Sequence, residues 1–227
     1  MERTNRKDVA FFEAWLKGCR YSTRTIEVYL NAINVFLNYF ADKNPGDITN
    51  SDVAILGYGP IGMSVMLAAK ANGAASVSVT DKIGSRLAIA EKEKASWTGN
   101  PLNNDILKEI SHIRPSGLDV VFECCGQQEA VDQAVEILKP GGRLVIVGIP
   151  EFDKWTLDVD KTRRKEISIQ FIRRQLNCVD DSIRMMSGGI IDVSNMITHR
   201  FPFERTKEAF DLVDGYHDGV MKAMIDF

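Results

Sequence analysis

The residues of this chain best suited to chemistry by type and spacing are Gly57-Tyr58-Gly59-Pro60-Ile61-Gly62 and, nineteen positions further on, Asp81. Three glycines at this spacing suit a turn from a strand into a helix that receives a dinucleotide. Gly57 allows the tight turn, Gly59 lets a pyrophosphate approach the backbone, and Gly62 permits close packing of helix on strand. The helix N-terminus beyond offers free N–H groups and a partial positive charge to that pyrophosphate. Asp81 can accept hydrogen bonds from an adenosine ribose. Its charge would repel a 2′-phosphate, so NAD is expected rather than NADP, although Lys82 and Arg86 lie close enough to weaken the repulsion. The competing reading is a structural glycine turn beside an ordinary turn carboxylate.

Other reactive side chains form no set. The histidines are His112, His199 and His217, and none has a partner at metal-ligand spacing. A catalytic zinc needs three protein ligands and an open fourth position. Cys124 and Cys125 are adjacent, so on a strand they would point to opposite faces, which suits packing better than sharing a metal. Cys19 and Cys178 complete the four cysteines without a Cys-x-x-Cys pair. There is no Ser-His-Asp or Cys-His constellation. No catalytic residue and no metal ligand is therefore expected.

The elements that must position the glycine motif follow from apolar patterning. Residues 53–56, 76–80, 118–123, 143–147 and 167–171 are short apolar runs. Helical stretches separate the earlier ones, over 61–72, 85–94 and 128–138. Continuous runs rather than strict alternation imply strands covered on both faces, hence an α/β fold with a doubly wound parallel (Rossmann) sheet. Before it, residues 8–41 read as a small helical segment. Its second helix carries Ile26, Tyr29, Leu30, Ile33, Phe36, Leu37 and Phe40 as one apolar stripe. The expected organisation is a helical segment over 1–50, a dinucleotide-binding domain over 51–175 and a third piece over 176–227.

Composition agrees with an ordinary globular protein. The 227 residues are 44% hydrophobic and 26% charged, with a formal net charge of -3. That charge gives no electrostatic reason to expect nucleic acid or a membrane surface as partner. No apolar signal core follows Met1 and no run is long enough to span a bilayer, so the cytoplasm is the expected location.

The series GYGPIG, VSVTD, GLDVVFECCG, LKPGGRLVIVGIP, RRKEISIQ, THRFPFERTKEAFDLV and VMKAMIDF, in that order, resembles the second half of sorbitol (L-iditol) dehydrogenase-like enzymes of the zinc-type medium-chain family. The resemblance runs from about Asp52 to Phe227. It implies NAD-dependent oxidation of a secondary alcohol, typically a polyol, assisted by zinc. It also implies that Gly57, Gly59, Pro60, Ile61 and Gly62 bind pyrophosphate, that Asp81 binds ribose, and that Arg86 lies near the adenosine. Cys124, Cys125 and Gly126 would border the cofactor, with Val147, Gly148 and Ile149 near the nicotinamide. Arg173 and Arg174 would approach it at the domain cleft. In that family the zinc ligands lie in an N-terminal domain that has no counterpart here. The expectation is therefore an NAD-binding protein derived from such a dehydrogenase and inactive alone. The family also implies a homo-oligomer, its cofactor sheets joined across a dimer axis.

The N-terminal segment resembles a different family. Phe11 to Leu16, Gly18-Cys19-Arg20-Tyr21-Ser22-Thr23-Arg24-Thr25-Ile26, Tyr29, Phe36-Leu37 and Gly46-Asp47-Ile48-Thr49 are similar to part of the SAM-like core-binding domain of tyrosine recombinases. That family's domain clamps DNA, so an alternative function is a non-catalytic DNA-binding or assembly module. A helical hairpin that packs or pairs is the plainer expectation, because seven basic residues face six acidic ones before Asn50. The two likenesses meet at Ile48-Thr49-Asn50-Ser51-Asp52-Val53. The chain reads as a fusion of two truncated genes.

Overall fold

In the computed structural model the described residues are 48–172 and 179–227, and they fall into two compact units divided near residue 173. The first unit is a six-stranded parallel sheet. Its strands are β1 (Asp52–Leu56), β2 (Ser76–Thr80), β3 (Trp97–Gly99), β4 (Leu118–Glu123), β5 (Leu138–Ile146) and β6 (Ser168–Phe171), in the order β3-β2-β1-β4-β5-β6. Helices α1 (Pro60–Ala71), α2 (Gly84–Lys92), α3 (Ile106–Ile113), α4 (Gln128–Ile137) and α5 (Val159–Arg164) make the crossovers. The doubly wound parallel sheet expected from the apolar runs is what the chain forms.

Burial explains why those runs lack alternation. Every residue of β2 is buried, as are four of the five in β1. On one face Leu56, Val121 and Leu144 pack with Ile106 and Ile110 of α3 and with Val131 and Val135 of α4. Strand order reverses between β1 and β4, which pair in register from Val53↔Val120 to Leu56↔Glu123. Such a switch point opens a crevice beyond the carboxyl ends of the strands.

Three elements escaped the apolar patterning. β3 has only three residues, too few for a periodic signal. α5 buries no residue, so it carries no apolar stripe. α3 did leave a signal: Ile106, Ile110 and Ile113 recur at helical spacing, and the Asp105 side chain caps the start by accepting from Lys108 N–H at 3.1 Å. β5 also begins earlier than the run 143–147, because Leu138 already pairs with Leu118 across a bulge. That leaves no loop between α4 and β5. Lys165 compensates by donating its ammonium protons to the carbonyl oxygens of Val135 (2.9 Å), Glu136 (2.7 Å) and Leu138 (2.9 Å).

The second unit holds α6 (Val179–Ser187), β7 (His199–Pro202), α7 (Thr206–Asp214) and β8 (Ala223–Asp226). β7 and β8 pair in parallel. His199 joins Thr198 Oγ1 through Nδ1 (2.9 Å) and Asp218 through Nε2 (3.3 Å), linking β7 to the turn at Asp218. Among the described residues no helix is long and apolar enough to cross a membrane. The helical stretch 8–41 and its recombinase-like motifs, together with Arg173, Arg174 and Cys178, lie outside the described residues.

Candidate functional site

The crevice is lined by turns whose glycines differ in what they allow. Gly57 ends β1 with φ +96°, and a Cβ there would meet the Cβ of Cys125 at 2.7 Å. A Cβ on Gly62 would fall onto the Gly57 carbonyl oxygen and meet Ile55 Cγ2 at 3.3 Å. These two positions are glycine for the sake of the fold. Gly59 is not. Its φ is -74°, which any residue adopts, and a Cβ would meet only the tip of Arg86, Nη1 at 3.6 Å and Cζ at 4.0 Å. Gly59 is the N-cap residue of α1 and Pro60 fills its first position. Pro60 has no N–H to satisfy, while among the described residues the N–H groups of Ile61 and Gly62 find no backbone acceptor. Open space and free donors meet at Gly59.

Asp81 follows β2 and is buried, only 7% exposed. Its Oδ2 accepts from Tyr58 N–H at 2.6 Å and its Oδ1 from Ile83 N–H at 2.8 Å. One carboxylate thus ties the glycine turn to the entry of α2. Arg86, on α2, brings Nη1 to 3.8 Å from Asp81 Oδ2, so Asp81 and Gly59 are both neighbours of one guanidinium. Tyr58 sends its own side chain into the core, fully buried, and its hydroxyl has no partner among the described residues. Burial and the nearby Glu93 push that phenol far above its ordinary range.

On the other side of β1, the chain leaves β4 through Cys124, Cys125 and Gly126. The cysteines therefore sit in a turn beyond the strand end and not on the strand, which corrects the packing expectation: Cys124 is half-buried and Cys125 exposed. Burial first, then the Glu123 carboxylate, holds both thiols protonated, Cys125 up to about 12. Gly126 has φ +71°, and a Cβ there would meet the Ile149 carbonyl oxygen at 2.5 Å. Val147 is buried, Gly148 half-buried and Ile149 exposed. The structure therefore gathers the thirteen candidate residues at the carboxyl ends of β1, β2, β4 and β5, in two contacting groups. Gly57, Gly59, Pro60, Ile61, Gly62, Asp81 and Arg86 surround the start of α1. Cys124, Cys125 and Gly126 lie against Gly57 on one side and against Gly148 and Ile149 on the other.

Glu123 was not among them and belongs at the centre. It is fully buried at the last position of β4 and accepts from Cys125 N–H (2.7 Å) and Gly126 N–H (2.6 Å) through Oε1. An acidic residue closing the apolar run Val120-Val121-Phe122 was the available signal.

The family model for zinc-binding dehydrogenases matches residues 60–188, more than half of the sequence. The chain belongs to that family. It is 34% identical over 176 residues to the sorbitol dehydrogenase of Bacillus subtilis (strain 168), a match covering 77% of this chain and 50% of that protein. Among solved structures it resembles a short chain alcohol dehydrogenase of Escherichia coli CFT073 complexed with NADH (TM-score 0.78, 25% identity, 89% of this chain and 58% of that one). It also resembles a zinc-binding dehydrogenase of Sinorhizobium meliloti 1021 bound to NADP (TM-score 0.78, 25% identity, 88% of this chain and 58% of that one). The chain spans about half the length of the relatives it matches.

Membership in a zinc-binding dehydrogenase family raises the question of metal. Among the described residues, no three His, Cys, Asp or Glu side chains gather where they could share an ion. The described residues of the crevice therefore do not fit a zinc centre. The cradle at Gly59 does fit a pyrophosphate.

Proposed function

We propose that this member of the zinc-binding dehydrogenase family binds a nicotinamide dinucleotide across the carboxyl ends of its sheet. Its pyrophosphate would lie on the N-terminus of α1, the adenosine beside Asp81 and Arg86, and the nicotinamide near Gly126, Val147, Gly148 and Ile149. The observation that carries this reading is Gly59. Among the three motif glycines it alone has room for a side chain, so its lack of one is explained by a ligand and not by the fold. The NADH and NADP in the two related structures support the same ligand class. NAD is the expected form, because a 2′-phosphate would have to approach the buried carboxylate of Asp81, which Arg86 offsets only at 3.8 Å.

In this reading residues 51–175 hold the dinucleotide and 176–227 belong with the domain that handles substrate. A polyol is the substrate class of the complete enzyme, as the sorbitol dehydrogenase relative suggests. In this reading the part played by this chain is to bind and orient the cofactor. The test is a titration with NADH and NADPH, followed by the fluorescence of the reduced nicotinamide. NADH should bind more tightly by about tenfold or more, the size expected for one unfavourable charge contact. Tighter binding of NADPH would contradict the role given to Asp81.

A further inference from the structure

The crevice has one buried carboxylate with an oxygen to spare, and the turns that face the nicotinamide side converge on it. Glu123 is fully buried, and four N–H groups meet it. Its Oε1 takes Cys125 N–H and Gly126 N–H, while its main-chain carbonyl takes Val147 N–H (2.9 Å) and Gly148 N–H (3.0 Å). The β4 turn and the β5 turn are thus fastened to a single residue. Oε2 has no hydrogen-bond partner among the described residues and faces Gly148. A Cβ on Gly148 would meet Oε2 at 2.5 Å and overlap Gly126 N, so position 148 is kept bare by the carboxylate and the turn it holds. Gly126 in turn lies on the Ile149 carbonyl, where its own Cβ would come within 2.5 Å. A buried carboxylate with an unpaired oxygen is costly to keep. An apolar residue at this position would avoid that cost but would leave the buried Gly126 N–H and the part-buried Cys125 N–H without their acceptor.

We propose that Glu123 is a positioning residue for the nicotinamide half of the dinucleotide, fixing Cys125–Gly126 against Gly148–Ile149 so that the two turns form one wall of the crevice. The assignment rests on the dinucleotide reading above and adds to it a division of labour. Gly59, Asp81 and Arg86 hold the adenosine and pyrophosphate, and Glu123 shapes the opposite end without touching the ligand itself. Removing its carboxylate frees the Cys125 and Gly126 amides to turn toward water, so that Gly126 is no longer held against the Ile149 carbonyl, while the main-chain bonds from Val147 and Gly148 to the Glu123 carbonyl remain. The Asp81–Tyr58 link is left as it was.

ADP-ribose, which has the adenosine and pyrophosphate but no nicotinamide, separates the two ends. Both it and NADH are titrated by calorimetry against the full chain, Glu123→Ala, Glu123→Gln and Gly148→Ala. In wild type NADH should bind more tightly than ADP-ribose. Glu123→Ala should weaken NADH about tenfold, the loss expected when the Gly126 and Cys125 N–H groups lose a charged acceptor, while ADP-ribose stays within about twofold. Glu123→Gln keeps an oxygen for both N–H groups and should restore NADH binding. Gly148→Ala, which crowds both the carboxylate and the Gly126 backbone, should also weaken NADH selectively, and Glu123→Gln carries the test if Glu123→Ala does not fold. Equal weakening of both ligands, or no change in either, overturns the assignment of Glu123 and leaves the dinucleotide site standing. Failure of wild type to bind ADP-ribose overturns the site itself and this assignment with it.

Discussion

Gly57, Gly59 and Gly62 share a motif but answer to different forces, and only contact distances separate them. A side chain at 57 or 62 collides with the protein's own backbone, whereas one at 59 enters space bounded by a flexible guanidinium. The same distinction between fold and site applies to the cysteines. Cys125 is exposed as a residue, yet burial of its thiol beside Glu123 raises the pKa from an ordinary 9.0 to about 12. A raised thiol pKa means that the folded state holds its proton more tightly than the unfolded state does. The associated stability is complete below pH 9 and is lost as pH climbs toward 12. Reactivity should follow the thiolate. At pH 9, iodoacetamide should label Cys125 in the native protein roughly a hundredfold more slowly than in denaturant, as read by peptide mass mapping. Equal rates in the two states would show that the thiol is not held protonated by its surroundings.

At the scale of elements, β6 is the exposed edge of the sheet. Among the described residues it pairs only with β5, its outer residues Ser168 and Phe171 are exposed, and Phe171 shows 63% of its surface. Unpaired backbone groups along such an edge favour pairing with a twofold mate. Static light scattering at micromolar concentration should therefore give about twice the 25.4 kDa chain mass. A value near the single-chain mass across the dilution range would contradict an edge-to-edge dimer. The sheet that creates this edge was legible in the sequence because buried parallel strands leave continuous apolar runs. β3 and α5 were not, since three residues carry no period and a helix that buries nothing carries no stripe. The β7–β8 pair was hidden for another reason. Two four-residue segments some twenty positions apart meet in parallel, and no local pattern specifies such a pairing. The junction of α4 with β5 was obscured because its helix carbonyls are satisfied by Lys165, distant in sequence.

For the whole molecule, family membership and the crevice point to cofactor binding, carried by a chain whose match spans about half the length of its relatives. The end proposed for the pyrophosphate was visible in the sequence, since glycine spacing and a carboxylate just after β2 are local signals. The end proposed for the nicotinamide was visible only through resemblance, and Glu123, proposed above to organise it, reads in the sequence as the last residue of a strand. The chain's central property is then a dinucleotide site whose opening at Gly59 is not required by the fold. Gly59→Val tests this most directly, with thermal melting and NADH fluorescence followed on the same samples. The variant should melt within about 2 °C of wild type, because a Cβ at this position meets only the end of Arg86. NADH should stabilise wild type and shift its own emission on binding, and should do neither with the variant. Undiminished NADH binding by Gly59→Val, or a wild type that fails to bind NADH at millimolar concentration, would contradict this reading.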